Sequence, residues 1–318
     1  MVDPVPDVSV VVATRDRVAL LEELLASLRG QTLPRERFEV VVVDDGSRDG
    51  TAELLAGEQR DGTVRVVSTG RGEALGPAAA RNAGWRAARA PVVAFTDDDC
   101  VAAPRWLEEG LAASRAAPGC IVQGRTDPRA DHRPLIPAFS RTVSVTAAGP
   151  LYETCNIFYP RALLAQLEGF ADGTYPGAGG EDTDLAWRAL ERGVRVRYAP
   201  QALVNHAVLN LGPLGMLRDA RRWEHAVPVL ARHPALRRAH LHRGVFWSPR
   251  HEQLVRFLLA WVVARRSRTL ALLLALPYAR HLAFRRSGPL LAPFLLAVDL
   301  VELAAVVRGA VRNRVLVV

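Results

Sequence analysis

Lysine is absent from this chain of 318 residues, so arginine supplies all 41 basic side chains. A phosphate-binding P-loop requires a lysine after its glycines, and no such motif occurs. Cysteine is scarce, and Cys100, Cys120 and Cys155 show no C-x-x-C spacing. This argues against a disulfide framework or structural zinc and fits a reducing cytoplasm. The N-terminus lacks a basic segment and a long apolar segment, so we expect no signal peptide.

Acidic residues are the minority among the charged side chains, with 33 against 41 basic ones and a formal net charge of +8. A basic protein of this kind suits nucleic acid, anionic lipid or phosphorylated substrates. Nucleic-acid binding is not expected, because the arginines form no stripe interleaved with aromatic side chains. The hydrophobic content of 49% is typical of a globular protein.

The first hundred residues alternate between β-branched apolar runs and stretches with helical spacing. Strands are predicted in VSVVVAT, FEVVVVDDGS, TVRVVST and PVVAFTDDD, with a helix between each consecutive pair. Near-continuous apolar runs are typical of strands that are covered on both faces. Regular strand–helix alternation implies right-handed crossovers. The sequence therefore predicts an α/β fold with a mostly parallel, Rossmann-like sheet flanked by helices.

Charged side chains follow three of the four predicted strands. The carboxyl ends of parallel strands lie along one edge of a sheet, where open α/β sheets bind ligands. That edge would carry Thr14, Arg15 and Asp16, then Asp44 and Asp45, then Asp97, Asp98 and Asp99. Aspartate is common in turns for local reasons, and any one of these sites alone is consistent with an ordinary turn. Their convergence on one edge favours a ligand.

The three adjacent carboxylates in FTDDDC repel one another, and a divalent cation would offset that repulsion. Oxygen ligands suit Mg²⁺ or Mn²⁺, hard ions that also bind phosphate oxygens. A dinucleotide-binding fold is excluded, because no glycine follows the first strand in VVATRDR and the spacing of GRGEALG is wrong. A metal ion with a bound diphosphate is the simplest hypothesis.

Four segments resemble, in order, the motifs of family 2 inverting glycosyltransferases with the GT-A fold. They are VSVVVATRDR, VVVVDDGSRDGT, GPAAARNAGWRAARAPVVAFTDDD and GGEDTDLAWRALERGVRVRYAPQALVNH. Ala13 and Asp16 stand where the family usually has Pro and Asn, which leaves the detail of the base contacts open. The resemblance covers residues 7–206 and implies transfer of a sugar from a nucleotide-diphosphate sugar donor.

The resemblance also implies a role for each matched residue. The implied nucleotide-sugar-binding residues are Thr14, Arg15, Asp44, Asp45, Arg81, Asn82, Asp97 and Asp98. The implied ligands of the Mn²⁺ or Mg²⁺ cofactor are Asp99, Asp97 and His206.

The implied catalytic residues lie in the second half of the chain. Asp182 is the expected general base, which removes the proton from an acceptor hydroxyl. Glu181 is expected to orient that base or to contact the acceptor. Carboxylates at a helix N-terminus also stabilise the helix itself, and this structural role remains the alternative. Asn156 and Trp187 are acceptor-side candidates, although Trp187 also suits the core.

Processive polysaccharide synthases of this family carry Q-x-x-R-W after the base. The corresponding segment here, DARRW, keeps Arg222 and Trp223 but has Asp219 in place of the glutamine. We therefore expect transfer of one or a few sugars.

The C-terminal region contains three apolar runs, Leu254–Ala264, Thr269–Ala279 and Pro289–Val307. Spanning a bilayer takes ~20 apolar residues. The first two runs are too short, and the third carries Asp299 and Glu302, which are costly in hydrocarbon. We expect helices that are embedded in the cytoplasmic face of the cell membrane or lie on it, with a soluble helical subdomain as the alternative. The arginines expected to meet an anionic membrane surface are Arg265, Arg266, Arg268, Arg280, Arg285 and Arg286.

The predicted organisation is a catalytic GT-A domain over 1–210, a connecting helical segment over 211–252 and a membrane-associated helical region over 253–318. A glycan or lipid-linked acceptor, such as a cell-envelope polysaccharide precursor, would fit that arrangement. A nucleotidyltransferase and a catalytically inactive membrane-bound scaffold are the alternative functions. The first would need a basic signature loop near the first strand. The second is disfavoured by the retained acids Asp45, Asp97, Asp99 and Asp182.

Overall fold

The computed structural model describes residues 4–70, 74–132, 137–175, 179–284 and 289–318. The chain forms two compact units, of which the first contains Met1–Arg133 and Thr142–Val208. The second contains Pro134–Arg141 and Leu209–Val318. The predicted boundary at residue 210 lies close to the end of the first unit. The predicted subdivision at residue 252 stays a prediction.

Ten strands occur in the described residues. They are β1 (Val8–Thr14), β2 (Phe38–Asp44), β3 (Arg65–Ser68), β4 (Val92–Thr96), β5 (Cys100–Ala102), β6 (Ile121–Pro128), β7 (Ser140–Arg141), β8 (Asn156–Pro160), β9 (Val196–His206) and β10 (Leu209–Asn210).

Twelve α-helices accompany them in the same described ranges. They are α1 (Val18–Arg29), α2 (Thr51–Arg60), α3 (Pro77–Ala87), α4 (Trp106–Ala116), α5 (Arg161–Gln166), α6 (Glu181–Leu190), α7 (Gly212–Arg221), α8 (Trp223–Arg232), α9 (Pro234–His240), α10 (Pro249–Val263), α11 (Arg268–Ala283) and α12 (Ala292–Arg312).

An eight-stranded sheet with the order β3-β2-β1-β4-β8-β6-β9-β5 forms the centre of the first unit. The four predicted strands pair in parallel as β3-β2-β1-β4. Beyond β4 the sheet is mixed, because β8 runs antiparallel to both β4 and β6. The predicted α/β fold with a mostly parallel sheet is confirmed, as is the helical C-terminal region.

Two apolar cores cover the two faces of this sheet. Alternate residues of β1 supply them, with Val10 and Val12 in one core and Val11 in the other. The first core includes buried leucines of α1 and Trp106 of α4, and the second includes Trp85 of α3. Because both faces are buried, β1 and β2 need apolar residues at almost every position, which is the pattern read from the sequence.

The second unit has a helical core that contains buried charges. Asp299 and Glu302 of α12 are both buried. Arg250 of α10 pairs with Asp299 at 3.1 Å and with Glu302 at 2.6 Å. The hydroxyl of Tyr278, on α11, donates to Asp299 Oδ2 at 2.7 Å. These contacts tie α12 to α10 and α11, so the two acids that interrupt its apolar run have partners inside the unit.

The close approach of α4 to the sheet depends on Gly110. A Cβ at this position would lie 2.0 Å from the ring carbon Cζ of Phe158 on β8, whereas a Cβ on Gly57 of α2 would meet nothing within 4 Å. We expect Gly110→Ala to lower the free energy of unfolding by about 2–3 kcal/mol through overpacking. Gly57→Ala, the control, should raise it by about 0.5–1 kcal/mol through helix propensity. Urea denaturation measures both values, and similar results for the two variants would contradict this packing.

Candidate active site

The carboxyl ends of β1, β2 and β4 meet at one edge of the sheet, as the parallel pairing requires. The backbone N–H of Asp45 donates to the carbonyl of Thr14 at 2.9 Å. The hydroxyl of Thr14 donates to Asp98 Oδ2 at 2.8 Å. Residues that are 84 positions apart in sequence are therefore in direct contact. Arg15 lies beside them, exposed and paired with Asp16.

Arg17 neutralises part of the acidic run after β4. One of its guanidinium nitrogens lies 2.9 Å from Asp98 Oδ1 and 3.0 Å from Asp99 Oδ2. Burial raises the pKa of Asp98 to about 6, and the charge of Asp99 adds to this rise while Arg17 opposes it. A single arginine does not balance both buried carboxylates, so the pair retains an excess of negative charge.

A cation site is indicated where β5 pairs with β9. In the described residues, the donor atoms of Asp99, Cys100 and His206 lie within 4.8 Å of one another. Asp99 Oδ1 is buried and accepts no hydrogen bond from the residues described, although His206 Nε2 is 3.3 Å away. His206 Nδ1 lies 2.9 Å from the carbonyl of Ala207. If Nδ1 donates there, Nε2 and Asp99 Oδ1 both present lone pairs to the same space, which suits a metal ion.

The ligand set differs from the predicted one in two respects. Cys100 joins the cluster, but burial raises the pKa of its thiol well above the usual range, and a neutral thiol is a poor ligand for a hard cation. Asp97 is not in the cluster, and its Oδ1 instead accepts from Arg81 at 3.0 Å. Asp99 and His206 therefore fit a divalent ion best, and direct ligation by Asp97 stays a prediction.

Arg81 connects the acids after β4 to the start of α6. Its guanidinium donates to Asp97 Oδ1 at 3.0 Å and to Glu181 Oε1 at 2.9 Å. Arg81 and Glu181 are buried, whereas the side chain of Asp97 is 30% exposed. A planar guanidinium can hold two carboxylates in a fixed relative position, which a flexible ammonium group does poorly. Arg81 therefore places Glu181, and with it Asp182, against the strand-end acids.

Asp182 is a carboxyl group whose surroundings raise its pKa. It is half-buried, and its Oδ1 accepts from the N–H of Thr183 at 2.8 Å. Burial raises the pKa of Asp182 to about 7, and the charge of Glu181 raises it further while Arg81 lowers it. Glu181 accepts the N–H of Gly179 at 2.7 Å in addition to its pair with Arg81. Glu181 is thus held in place next to a carboxyl group with a raised pKa.

Asp44 and Asp45 organise loops beside this edge. Asp45 accepts the hydroxyl of Thr69 at 2.8 Å and the N–H groups of Leu75 and Gly76 at 2.9 Å. Asp44 accepts the N–H of Ser47 at 3.0 Å. Both acids shape the wall of the region where the nucleotide is predicted, while their contact with a base or ribose stays a prediction.

Three residues that were predicted to bind the donor or the acceptor have contacts inside the protein that give them a structural role. Asn82 bonds to the backbone of Phe170 and to the indole of Trp85. Asn156 is completely buried, and its amide bonds Trp106 and two backbone carbonyls. Trp187, half-buried on α6, donates to the carbonyl of Pro150 at 2.8 Å. For Asn156 in particular, this geometry offers nothing in support of the predicted acceptor contact.

Arg17 and Cys100 belong to the site although the sequence did not point to them. Arg17 lies three residues beyond β1, in the same loop as Arg15, and position alone does not show which of the two arginines turns inward. Cys100 directly follows the acidic run. Its place opposite His206 depends on the pairing of β5 with β9, which has no local signature in the sequence.

Comparisons with known proteins agree with this architecture. Residues 9–175 match the model of the family described as Glycosyl transferase family 2. A validoxylamine A glucosyltransferase from Streptomyces hygroscopicus subsp. jinggangensis is 31% identical over 294 residues, covering 79% of this chain and 67% of that protein. A pre-mycofactocin glycosyltransferase from Mycobacterium tuberculosis is 32% identical over 244 residues, covering 72% of this chain and 48% of that protein. This chain therefore spans about half to two thirds of the length of these relatives.

A solved structure shares the fold at lower identity. The mannosyltransferase PcManGT from Pyrobaculum calidifontis, in complex with GDP-Man and Mn²⁺, superposes with a TM-score of 0.62 at 23% identity. The superposition covers 98% of this chain and 88% of that chain.

The bridge made by Arg81 can be tested by a double-mutant cycle. We expect Arg81→Met to lower the free energy of unfolding by about 3–5 kcal/mol, because Glu181 is left buried and unpaired. Adding Glu181→Gln should restore part of that loss, with a coupling energy of about 1–3 kcal/mol. Arg105→Met is the control, since Arg105 is 65% exposed in its pairs with Glu108 and Glu109 and should cost under about 1 kcal/mol. Urea denaturation gives all values, and strictly additive effects of Arg81 and Glu181 would contradict the bridge.

Proposed function

This chain belongs to glycosyl transferase family 2, and from that premise we propose that it moves a sugar from a nucleotide-diphosphate sugar to an acceptor hydroxyl. One observation carries the proposal: Arg81 holds the strand-end acid Asp97 and the helix-start acid Glu181 together, which places Asp182 beside the acidic edge. The GDP-Man and Mn²⁺ bound by PcManGT support a nucleotide-sugar donor and a divalent ion here.

Asp99 and His206 would hold the divalent ion, Mn²⁺ or Mg²⁺. When bound, the ion supplies positive charge that stabilises the departing diphosphate. Arg17 is also close enough to the acidic run to contribute positive charge on the donor side. Thr14, Arg15, Asp44, Asp45 and Asp98 would shape the nucleotide-binding wall, as the family resemblance implies.

Asp182 would act as the general base. Its carboxylate would take the proton of the acceptor hydroxyl while that oxygen attacks the anomeric carbon of the sugar. The bond to the diphosphate breaks on the opposite side, so the anomeric configuration inverts. Glu181, held by Arg81, would keep Asp182 in position and, through its own charge, help to keep the pKa of Asp182 high.

The acceptor is proposed to be a glycan or a lipid-linked glycan precursor of the cell envelope, reached at the cytoplasmic face of the membrane. Transfer would stop after one or a few sugars. Asp219, which replaces the glutamine of the processive motif, is occupied by Arg141 at 2.9 Å and Arg222 at 3.2 Å. Carboxylate-to-arginine pairing of this kind replaces the neutral amide contacts that a glutamine would offer.

The alternative functions give different products. A nucleotidyltransferase would release pyrophosphate, whereas a glycosyltransferase releases a nucleoside diphosphate. An inactive scaffold would release neither. The raised pKa of Asp182 favours the transferase, because a scaffold has no use for a proton-exchanging carboxyl beside a buried acidic cluster.

Metal-dependent nucleotide binding should be visible in thermal unfolding with UDP, GDP and dTDP, each with and without Mn²⁺. We expect one nucleotide to raise the melting temperature by roughly 5 °C, and only when the metal is present. Asp99→Asn should abolish that rise, because it removes a buried anionic ligand. Asp131→Asn, at a carboxylate that is 66% exposed, should keep it. A rise that survives both chelation and Asp99→Asn would contradict the assignment.

The pH dependence of transfer should follow Asp182. Its pKa is raised in the folded protein, so the carboxyl is protonated and inactive below about pH 7 and competent above it. We expect kcat/KM to fall about tenfold per pH unit on the acidic side, measured by release of nucleoside diphosphate. Asp182→Asn should lower the rate about 10²–10⁴-fold while keeping the metal-dependent thermal shift. A flat profile down to about pH 5, or full activity of Asp182→Asn, would exclude this base.

A further inference from the structure

Exposed apolar side chains are concentrated on one segment of the second unit. α10 and α11 are joined by four residues and pack as an antiparallel pair, with the rings of Phe257 and Tyr278 5.3 Å apart. The end of this pair nearest the connection, residues 258–276, is here called the hairpin end. Its exposed large apolar residues are Leu258, Leu259, Trp261, Val262, Leu270, Leu272, Leu273 and Leu276.

The degree of exposure at the hairpin end is high. Trp261 is 78% exposed, Val262 72% and Leu272 65%. In the first unit, by contrast, only Val5 and Leu75 are large apolar residues with comparable exposure among the residues the structure describes. Apolar surface gathered in this way marks a contact with a membrane or with another macromolecule.

The charged residues around the hairpin end favour a membrane over another macromolecule as the partner. No acidic residue occurs between Glu252 and Asp299, while seven arginines do. Arg265, Arg266, Arg268 and Arg280 are exposed, whereas Arg285 and Arg286 lie outside the described residues. A segment that is apolar, rich in arginine and free of acids matches a surface that is apolar inside and anionic outside. An anionic lipid bilayer has that chemistry.

Among the residues that the structure describes, α12 belongs to the one stretch, Pro289–Arg312, that length and composition alone would allow to cross a membrane. Its packing argues otherwise. Asp299 and Glu302 are buried in pairs with Arg250, and Val306 and Ala310 are buried as well. Moving α12 into lipid would break these pairs and leave two carboxylates in hydrocarbon, which is costly.

The geometry points to the hairpin end as the element that docks on an anionic bilayer, and we propose that it lies in the headgroup interface without crossing the membrane. α10 and α11 have 15 and 16 residues, or about 22–24 Å of helix, against ~30 Å of hydrocarbon. Insertion end-on would also carry Arg265 and Arg266 toward the bilayer centre. Lying flat buries the apolar residues and leaves the arginines at the phosphates, where Trp261 also prefers to reside.

This inference deepens the proposed function, because interfacial docking would bring the enzyme to a lipid-linked acceptor. It makes no use of the residues around Asp99 and Asp182. Membrane docking and metal-dependent nucleotide binding can therefore be measured separately on the same full-length protein.

The test is flotation of the full-length protein with vesicles of phosphatidylcholine alone or with about one third phosphatidylglycerol. We expect binding to the anionic vesicles only, and release at about 0.5 M NaCl. Leu272→Ser with Leu273→Ser, and separately Arg265→Gln with Arg266→Gln, should each lower the partition coefficient at least tenfold. Leu214→Ser is the matched control, since Leu214 is 70% exposed on α7 of the same unit, and it should bind like the wild type.

The depth of Trp261 in the bilayer distinguishes a hairpin end that lies on the membrane from one that spans it. Lipids brominated near the headgroup should quench the fluorescence of Trp261 more than lipids brominated near the chain ends, with Trp261→Phe as the baseline. Stronger quenching by the deep bromines, or resistance to salt and alkaline extraction, would overturn interfacial docking in favour of a span. No binding by the wild type, or equal binding by all variants, would overturn the membrane as the partner. The membrane would also be overturned as the partner if the wild type formed a dimer and bound no vesicles, and if the leucine variant lost that dimer. A second copy of the chain would then be the occupant of the hairpin end.

The nucleotide measurement separates the two hypotheses. The hairpin variants should keep the metal-dependent thermal shift of the wild type, because their substitutions lie far along the chain in the second unit. If the wild type shows no such shift yet floats with anionic vesicles, the proposed donor chemistry fails while the docking element stands. If the shift is present and flotation is absent, the docking inference alone is refuted.

Discussion

The crowding of carboxylates at one sheet edge is the constraint on which the candidate site depends. Asp97, Asp98 and Asp99 follow one strand directly, and Glu181 and Asp182 are brought to the same edge by Arg81. Arg17 and Arg81 are the guanidinium groups that pair with these acids, and they are outnumbered. Buried like charges of this kind destabilise a fold unless something else compensates. A divalent ion at Asp99 and His206 would supply that compensation.

The excess of negative charge also bears on the chemistry that we propose for the site. The same burial that makes the acids costly raises the pKa of Asp182, and the neighbouring Glu181 adds to the effect. A carboxyl group in water would be too weak a base at neutral pH, whereas a carboxyl group with a pKa of about 7 would suit the proton transfer proposed for Asp182. Arg81 limits the effect by lowering the pKa, and it fixes the position of Glu181. One arginine thus both holds the acids Asp97 and Glu181 together and limits the rise in the pKa of Asp182.

Much of the fold could be read from the sequence, because buried parallel strands leave a strong local signal. The run of valines in β1 predicted its bounds, and parallel topology then predicted that Thr14 and Asp98 would lie at the same edge of the sheet, where they are in contact. Side-chain partners were less predictable. The inward turn of Arg17, the internal use of the Asn156 amide and the pairing of Cys100 with His206 depend on contacts across the sheet. Such contacts are set by register and packing, which leave no periodic pattern in the sequence.

In the helical second unit, too, the sequence alone does not show which residues are in contact. Composition cannot tell a helix that packs inside a protein from one that faces lipid, because leucine and valine suit both surroundings. From the sequence alone, Asp299 and Glu302 could either interrupt a membrane span or pair with basic residues inside the protein. Their contacts with Arg250 and Tyr278 show that they are paired inside the protein. With Asp299 and Glu302 paired inside the unit, packing explains the buried apolar residues of α12, such as Val306 and Ala310. Eight of the exposed large apolar residues of this unit lie on α10 and α11, and Arg265, Arg266, Arg268 and Arg280 beside them have no acidic neighbour in sequence. Length and composition thus point to α12 as the membrane element, whereas the larger number of exposed large apolar residues lies on α10 and α11.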